Sequence, residues 1–198
     1  MTIAIIDYNA GNIASVKKAF DYLGFPAVVT REAERVRRAD KIVLPGVGNF
    51  AATRMLDDSG LRDCLDEAVR GGIPFLGICL GMQWMLATSE EAPGHSGLGI
   101  WPEECSRFPD EVKSPHVGWN SLEACKSDSR LLCGVASESF AYFTHSYRVP
   151  VMGATVAECE YGGKFSAAIE HENIFGVQFH PEKSGDVGLK ILSNFCKC

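Results

Sequence analysis

In the first half of the chain, short apolar runs alternate with segments whose apolar residues are spaced like one face of a helix. The apolar runs have the length of buried strands, and the segments between them repeat apolar residues at i, i+3, i+4 and i+7. A chain that alternates strands and helices in this way forms right-handed crossovers, which build a mostly parallel sheet with helices on both faces. The predicted strands cover residues 2–8, 26–30, 41–45 and 74–79, and the predicted helices cover residues 12–24, 59–72 and 80–88.

From about Gly99 to Gln178 the pattern changes and becomes richer in strand-forming residues, with turn signals such as YGGK at residues 161–164. We expect this part to add antiparallel strands to the edge of the sheet. A last helix is predicted over residues 184–198, with an apolar face formed by Gly188, Ile191, Leu192 and Phe195. The predicted fold is therefore α/β: a mostly parallel open sheet with helices on both faces and added antiparallel strands, in one domain over residues 1–198.

Composition and charge exclude several classes of function. Hydrophobic residues make up 46% of the chain and charged residues 22%, and the net charge of −6 gives no basic surface for nucleic acid. Residues 71–89 carry no charge, but four glycines, Pro74 and Gln83 interrupt them, so we interpret them as a strand, a turn and a helix rather than a membrane span. Asp7 breaks the apolar start and no basic segment precedes it, so no secretory signal is predicted and the expected location is cytoplasmic.

The eight cysteines lie at scattered positions without a CxxC pair, which does not indicate a zinc site or a thioredoxin-type motif. In a reducing cytosol most of them would be small buried hydrophobes. We expect the CKC tail, residues 196–198, to fray at the end of the last helix. The sequence predicts neither a metal site nor a cofactor.

One cysteine differs from the others in its surroundings. Cys79 is the centre of GICLG, residues 77–81, where a predicted strand meets a predicted helix. This is the layout of a nucleophile elbow with cysteine in place of serine, in which a tight turn presents the thiol at the carboxyl edge of the sheet. A helix N-terminus behind the sulfur would favour the thiolate, which is the reactive form. The alternative is a buried structural cysteine between glycines that are needed for packing.

A second candidate pair lies in GVQFHPE, residues 176–182, at the end of another apolar strand. Residues i and i+2 of an extended segment point the same way, so His180 and Glu182 can face one site. His180 would act as general base and acid, and Glu182 would orient its ring and stabilise the imidazolium. The alternative is a surface histidine at a charged helix start, which is the interpretation that we favour for His95 in a polar loop and for His171 in a turn.

PGVG, residues 45–48, follows a predicted strand. A glycine-rich turn of this kind can direct backbone N–H groups at a developing oxyanion. It could also cradle a phosphate, but the lysine and the spacing of a P-loop are missing, and the chain has no GxGxxG fingerprint.

PGVG, GICLGMQ and GVQFHPE, in this order, resemble the motifs of the class I (triad) glutamine amidotransferases. Other stretches are similar to the glutaminase subunit of imidazole glycerol phosphate synthase, from histidine biosynthesis: DYNAGNIASV at residues 7–16, PHVGWN at 115–120, FTHSY at 143–147 and HPEKSG at 180–185. The resemblance covers essentially the whole chain and implies the flavodoxin-like fold of the class I amidotransferases.

The resemblance also implies roles for individual residues. Cys79 would attack the side-chain amide of glutamine to give a glutamyl thioester and ammonia, with His180 and Glu182 completing the triad. The backbone of Leu80 and of Val47 or Gly48 would form the oxyanion hole. The positions that match glutamine-binding residues are Gly46, Gln83, Glu91, Ser146 and Tyr147. The positions that match a partner interface are Trp119, Tyr142 and Lys183, although these aromatic residues could instead belong to the core and the lysine to a solvated helix start.

A partner follows from the same resemblance. It is a (β/α)8-barrel cyclase subunit that receives ammonia internally and converts the phosphoribulosyl-formimino-AICAR ribonucleotide to imidazole glycerol phosphate and AICAR. The chemistry agrees, because free ammonia is mostly protonated at neutral pH and is then a poor nucleophile. A chain that makes ammonia should therefore dock onto one that uses it.

Three alternatives stay open at this point. The chain could serve anthranilate, aminodeoxychorismate or pyridoxal phosphate synthesis, although PHVGWN and HPEKSG favour the histidine pathway. It could be an inactive amidotransferase-like binding module, but the nucleophile, base and acid are all present. It could be another cysteine hydrolase with this type of sheet, such as a peptidase. Gln83 and the PGVG turn argue against that class.

Overall fold

In a computed structural model, the described residues, 1–124 and 126–198, form helices and strands that alternate in the first half of the chain. The helices are α1 (Ile13–Tyr22), α2 (Ala33–Arg37), α3 (Arg54–Asp58), α4 (Leu61–Arg70), α5 (Leu80–Gln83) and α6 (Gly185–Lys197). The strands are β1 (Ile3–Ile6), β2 (Ala27–Thr30), β3 (Lys41–Gly46), β4 (Phe75–Cys79), β5 (Leu86–Ser89), β6 (Trp101–Arg107), β7 (His116–Ala124), β8 (Ser139–His145), β9 (Tyr147–Arg148), β10 (Thr155–Glu160), β11 (Lys164–His171) and β12 (Ile174–Val177).

The main sheet has nine strands in the order β2, β1, β3, β4, β12, β11, β10, β7, β8. The first five of these run parallel, and from β12 onwards each strand is antiparallel to its neighbour. A second sheet contains β5, β6 and β9. The predicted α/β fold, with a parallel sheet extended by antiparallel strands, is confirmed.

Helices cover both faces of the parallel part, which is why its strands are apolar throughout. Successive residues of β1 alternate between the two layers. Ile3 and Ile5 pack with residues of α1 and α6, whereas Ala4 and Ile6 pack with residues of α2 to α5. The carboxyl ends of β3, β4 and β12 meet at one edge of this sheet, where open α/β sheets carry their sites.

Most predicted elements of the first half have counterparts in the structure, and β1, for example, lies within the predicted strand over residues 2–8. Gly24, with φ of +76°, ends the first helix as predicted. The YGGK turn joins β10 to β11, as predicted. The helices α2 and α3 have no counterpart in the prediction, because five residues are too few to show a helical period.

The predicted helix over residues 80–88 is wrong in its second half, because α5 ends after four residues and the chain continues into β5. The carbonyl groups of residues 84–87 accept hydrogen bonds from residues 97–100 instead of from a next helical turn. Gly97 permits this approach, since a Cβ atom there would lie 2.1 Å from the carbonyl oxygen of Leu86. Contacts between segments distant in sequence thus override the local helical pattern.

The last residues of the chain are held in place, so the expectation that they fray is wrong. Nζ of the buried Lys41 donates to the carbonyl oxygen of Cys198 at 2.6 Å, and Cys196 is buried. The seven described cysteines are free thiols, and five of them are buried, in line with the predicted role as small hydrophobes. The described residues contain no helix of the length and apolar character that would span a membrane.

Gly188 provides a test of the packing between α6 and the turn after β12. A Cβ atom at Gly188 would lie 1.9 Å from the carbonyl oxygen of Pro181. We predict that Gly188→Ala destabilises the fold by about 1–3 kcal/mol, as overpacking does, although alanine is ordinarily the better helix residue. Gly153→Ala is the matched control, because nothing lies within 4 Å of its Cβ position. Urea unfolding compares the two, and an unchanged or raised free energy of unfolding for Gly188→Ala would contradict this packing.

Candidate active site

The turn between β4 and α5 has an unusual backbone. Cys79 ends the strand with φ of +54° and ψ of −106°, a combination that L-residues rarely adopt. Such a conformation costs about 1–3 kcal/mol and persists only where the surrounding contacts enforce it. The turn has the form of a nucleophile elbow, and it presents the thiol at the carboxyl edge of the sheet.

Glycines on both sides of the elbow are required by close backbone contacts. A Cβ atom on Gly77 would lie 2.5 Å from the carbonyl group of Gly81, and one on Gly81 would lie 2.0 Å from the carbonyl oxygen of Leu44. The strand, the turn and the start of α5 are therefore packed backbone against backbone. These contacts hold Cys79 in its strained conformation.

His180 and Glu182 form a buried pair directly after β12, the strand next to β4. Nδ1 of His180 lies 2.9 Å from Oε1 of Glu182, and the two side chains are 1% and 0% exposed. Asn12 donates to the same carboxylate oxygen through Nδ2 at 3.3 Å. A carboxylate accepts, so the neutral ring carries its proton on Nδ1. Nε2 forms no hydrogen bond with the described residues and is the nitrogen that can take up a proton.

The surroundings of His180 favour its charged form. Burial lowers the pKa of His180, but interactions with Cys79 and Glu182 outweigh this and raise the pKa above its ordinary value. An imidazolium in this position favours a neighbouring thiolate. Because the folded pKa is the raised one, protonation of His180 stabilises the fold below the unfolded pKa, and this contribution is lost as the pH rises through the folded value.

A cleft of about 280 Å³ opens beside the thiol, at the scale of a site for a small molecule. It brings Cys79 together with most of the residues predicted to bind glutamine or an oxyanion. Those that line the cleft are Gly48, Leu80, Gln83, Glu91, Ser146 and Tyr147. Gly46 and Val47 are not in its lining.

Glu91 contributes a carboxylate to the cleft. The backbone N–H of Phe50 donates to its Oε2 at 2.7 Å, which fixes the side chain. Burial raises the pKa of Glu91, and the hydrogen bond from Phe50 opposes that effect. The carboxylate is thus a fixed acceptor that can pair with a positively charged group of a ligand.

The PGVG turn lies next to the elbow, because β3 pairs with β4 so that Gly46 stands opposite Cys79. A Cβ atom on Gly46 would lie 2.5 Å from Oη of Tyr8, a buried hydroxyl without a hydrogen-bond partner among the described residues. Gly48 has φ of +99°, in the region that favours glycine, and Val47 between the two glycines is 36% exposed. The glycines therefore let the backbone of this turn adopt angles that other residues resist.

Two buried side chains beside the cleft are not among the predicted site residues. Nε2 of Gln178 donates to Sγ of Cys79 at 3.6 Å. His145 lines the cleft, and its Nε2 lies 3.1 Å from Nδ1 of His116. Gln178 and His145 each lie inside a motif that carried the family resemblance, GVQFHPE and FTHSY, and this is the signal that could have identified them.

The two histidines that we interpreted as surface residues, His95 and His171, differ in their exposure in the structure. His95 is only 7% exposed, with Nε2 at 2.7 Å from Oγ1 of Thr53 and its ring edge-on to Phe50, so a surface position is wrong for it. Its loop folds back on the segment before α3, which the local polarity of the sequence does not indicate. His171 is exposed at the end of β11, as expected.

The three residues matched to a partner interface cluster at the edge of the main sheet. Trp119 on β7 pairs with Tyr142 on β8, and their rings lie 6.1 Å apart in an edge-on arrangement. Nζ of Lys183 lies 5.8 Å from the Tyr142 ring. Trp119 is 55% exposed, and Val117 and Phe140, on the same face by strand alternation, are 56% and 57% exposed. We call these five residues the edge patch.

Solved structures share this fold. A crystal structure of a glutamine amidotransferase superposes with a TM-score of 0.77 at 18% identity and covers 98% of both chains. The structure of PurLQS from Thermotoga maritima gives a TM-score of 0.75 at 16% identity, over 99% of this chain and 97% of that one. The family model of class-I glutamine amidotransferases matches residues 4–198. The chain belongs to the class-I glutamine amidotransferases.

Curated relatives identify the family of this chain within the class-I glutamine amidotransferases. Imidazole glycerol phosphate synthase subunit HisH from Chlorobium luteolum is 47% identical over 99% of this chain and all of its own length. The HisH subunit from Methanocaldococcus jannaschii is 46% identical over 98% of this chain and 97% of its own. The chain therefore belongs to the family of imidazole glycerol phosphate synthase subunit HisH. The predicted family, the glutaminase subunit of that synthase, is confirmed. These relatives are not subunits for anthranilate, aminodeoxychorismate or pyridoxal phosphate synthesis, which were the alternative pathways.

The buried pair yields a prediction about pH. Glu182→Gln keeps the shape of the side chain but removes its negative charge, so the pKa of His180 should fall by about 1 to 3 pH units. Titration of the ring resonances by NMR measures this shift. Glu111→Gln, at an exposed turn residue, is the control and should leave the titration of His180 unchanged. An equal titration of His180 in all three proteins would contradict the pairing.

Proposed function

We propose that the chain hydrolyses L-glutamine to glutamate and ammonia, with Cys79, His180 and Glu182 as its catalytic residues. The observation that carries the proposal is a strained cysteine elbow that lines the cleft, together with a buried histidine–carboxylate pair that interacts with the same cysteine. A nucleophile with a base that is itself oriented by a third group is the arrangement of covalent catalysis. The membership in the HisH family supports glutamine as the substrate.

The first half of the reaction forms a thioester. The thiolate of Cys79 attacks the side-chain amide carbon of glutamine, and a tetrahedral oxyanion results. Collapse of this intermediate breaks the C–N bond, and His180 gives its proton to the departing nitrogen, which leaves as ammonia. Glu182 holds the ring so that Nε2 faces the reacting atoms, and it stabilises the imidazolium.

The second half releases glutamate. His180, now neutral, accepts a proton from a water molecule that attacks the thioester carbon. The C–S bond then breaks, and Cys79 returns to its thiolate form beside the imidazolium. In both halves the oxyanion would accept hydrogen bonds from the backbone N–H of Leu80 and from that of Val47 or Gly48, next to the elbow.

The remaining cleft residues would recognise the substrate. The fixed carboxylate of Glu91 suits the ammonium group of an amino acid, since it can accept a charge-assisted hydrogen bond. Gln83, Ser146 and Tyr147 supply neutral donors and acceptors along the same cleft. Gly46 would contribute through the position of the PGVG turn, because it lies outside the lining.

We also propose that the edge patch docks the (β/α)8-barrel cyclase subunit, which uses the ammonia to make imidazole glycerol phosphate and AICAR. Exposed aromatic and aliphatic side chains on the edge strand β8 and on its neighbour β7 are typical of an interaction surface. Trp119 and Tyr142 supply the aromatic anchors and Lys183 a charge at the rim. We place the reaction in the cytoplasm, where reducing conditions keep the thiol of Cys79 free.

The strand β8 connects the edge patch to the triad. The backbone N–H of His180 donates to the carbonyl oxygen of Tyr142 at 2.9 Å. The backbone N–H of Tyr142 donates to Oγ of Ser184 at 3.0 Å, and that hydroxyl donates to the carbonyl oxygen of His180 at 2.6 Å. A partner bound on Tyr142 would therefore act directly on the segment that carries His180.

The nucleophile can be tested by labelling and rescue. An electrophilic glutamine analogue should label Cys79 and stop glutamine hydrolysis, because only this cysteine of the seven described has the backbone of an elbow. Cys79→Ala should lose glutaminase activity, whereas the cyclase complex of this variant should still run on added ammonium salt. Full glutaminase turnover by Cys79→Ala, or labelling elsewhere with loss of activity, would refute the assignment.

Coupling to the partner gives a second prediction. We expect the isolated subunit to be a poor glutaminase and the complex with cyclase and its nucleotide substrate to be fast, because partner binding would reorient one peptide of the PGVG turn and so complete the oxyanion hole. One oxyanion donor is worth about 2.7–4 kcal/mol, so turnover should rise roughly a hundred- to a thousandfold with less change in KM. Glutamate release is measured for the subunit alone, with cyclase, and with cyclase and nucleotide.

A matched pair of variants tests where the partner acts. Trp119→Ala should lose much of the activation at limiting cyclase, and Met55→Ala, which removes a 40% exposed side chain on α3, should keep it. Equal glutamate release under all three conditions would refute the coupling. Equal activation of the two variants would show that the cyclase does not dock on the edge patch.

A further inference from the structure

Gln178 lies between the nucleophile and a second buried amide. Its side chain is 0% exposed, and its Nε2 donates to Sγ of Cys79 at 3.6 Å. Its Oε1 accepts a hydrogen bond from Nε2 of Gln83 at 3.1 Å. The amide of Gln178 is therefore held at both ends, with the donor end on the sulfur.

The direction of this amide is dictated by a backbone carbonyl. Nε2 of Gln83 also donates to the carbonyl oxygen of Tyr147 at 2.8 Å. A carbonyl oxygen only accepts, so Gln83 must present its N–H₂ group to it, and the same group then meets Gln178. Gln178 must in turn present its oxygen to Gln83, which leaves its own N–H₂ group for Cys79.

We propose that Gln178 is a further catalytic residue, whose side-chain N–H stabilises the thiolate of Cys79. Gln83 is a positioning residue that fixes the direction of this N–H, and His145 and His116 are positioning residues that hold the Tyr147 carbonyl group to which Gln83 donates. The assignment rests on the proposed role of Cys79 as the nucleophile. A hydrogen bond to the charged form of a group favours that form, so the N–H of Gln178 makes the thiolate more accessible.

A pair of buried histidines extends the same chain. Nδ1 of His145 lies 2.9 Å from the carbonyl oxygen of Tyr147, so this nitrogen carries a proton and donates. In the neutral ring Nε2 then accepts, and it does so from Nδ1 of His116 at 3.1 Å. The carbonyl oxygen of Tyr147 thus accepts from both His145 and Gln83, which uses both of its lone pairs.

The far end of the chain fixes the same tautomers of the two histidines independently. Oδ1 of Asn120 accepts from the backbone N–H of Ser121 at 2.8 Å, and its Nδ2 donates to the carbonyl oxygen of Glu160 at 3.1 Å. The orientation of this amide is therefore fixed by two backbone groups, and its Nδ2 faces Nε2 of His116 at 3.4 Å. Nε2 of His116 must therefore accept, so the neutral ring carries its proton on Nδ1. The hydrogen bonds that start from the carbonyl oxygen of Tyr147 lead to the same tautomer.

The two histidines have to be neutral for every donor to meet an acceptor. Burial lowers the pKa of His116 to about 4 and that of His145 to about 3, so both rings are neutral at neutral pH. They pack among aromatic rings, and the His116 ring stacks on Tyr161 at 4.1 Å. An extra proton on either ring would place two donors face to face.

Other titratable groups also interact with the sulfur of Cys79, and a measurement of how its reactivity depends on pH has to take them into account. His180 and Tyr8 interact electrostatically with Cys79 among the described residues, and Glu182 acts through His180. None of these groups is a member of the chain that runs from Asn120 to Gln178. His145 interacts electrostatically with His180, so variants at Gln178 and Gln83 are the ones that separate a change in the chain from a change in the triad.

The test is the pH dependence of Cys79 alkylation by iodoacetamide, followed by mass spectrometry of its peptide, in the absence of glutamine and partner. Gln178→Met keeps the length of the side chain without a donor, and it should raise the midpoint of alkylation by about one pH unit. Gln178→Glu should raise it further, because a carboxylate faces the thiolate. Gln83→Met should raise it by a smaller amount, since the amide of Gln178 is then free to turn.

Thr155→Val is the matched control, because it removes a buried hydroxyl that bonds Ser166 and has no part in the chain. Its midpoint should equal that of the wild type, and an unchanged midpoint in both Gln178 variants would overturn the proposal. The readout needs no glutaminase activity. A raised midpoint in a protein that does not hydrolyse glutamine would therefore refute the proposed function alone.

A second measurement needs no variant and so does not depend on folding of a mutant. Nitrogen-15 NMR of the wild-type protein at neutral pH should show His116 and His145 as neutral rings with the proton on Nδ1. A neutral His145 ring with its proton on Nε2 would lack the hydrogen bond from Nδ1 that holds the Tyr147 carbonyl group, and it would overturn the positioning role of the two histidines.

Discussion

Cys79 adopts a backbone conformation that costs an L-residue about 1–3 kcal/mol, so the structure around it has to supply contacts that hold it there. Gly77 and Gly81 supply them, because each brings backbone atoms closer than any side chain would allow. The same contacts explain why β4, the turn and α5 cannot be repacked separately. The position of the thiol is thus a consequence of backbone packing in the centre of the sheet.

The other functional groups reach the thiol because their strands flank β4. Gly46 at the end of β3 stands opposite Cys79, and Val177 at the end of β12 stands opposite Ile78. The residues that follow β12 therefore arrive beside the sulfur, first Gln178 and then His180. The PGVG turn, Cys79 and His180 come from three adjacent parallel strands, and their geometry follows from the register of these strands at one edge of the sheet.

The sequence predicted the parts of this site that have a local signature. Strands with apolar runs and the glycines around Cys79 are visible in a short window, and the i, i+2 spacing of His180 and Glu182 requires only an extended segment. The contacts of Gln178 are not local, since Cys79 lies 99 residues and Gln83 95 residues away in the chain. The early end of α5 and the burial of His95 have the same cause, because each depends on a segment that packs from a distance.

If glutamine is cleaved through a covalent bond to the sulfur of Cys79, that bond can be trapped during turnover. The protein is mixed with glutamine under activating conditions, quenched in acid within the first turnovers and digested for mass spectrometry. We predict a glutamyl group on the Cys79 peptide, which disappears when hydroxylamine cleaves the thioester and is absent in Cys79→Ser. A glutamyl group on another residue, or rapid glutamate release by Cys79→Ser, would show that Cys79 is not the nucleophile.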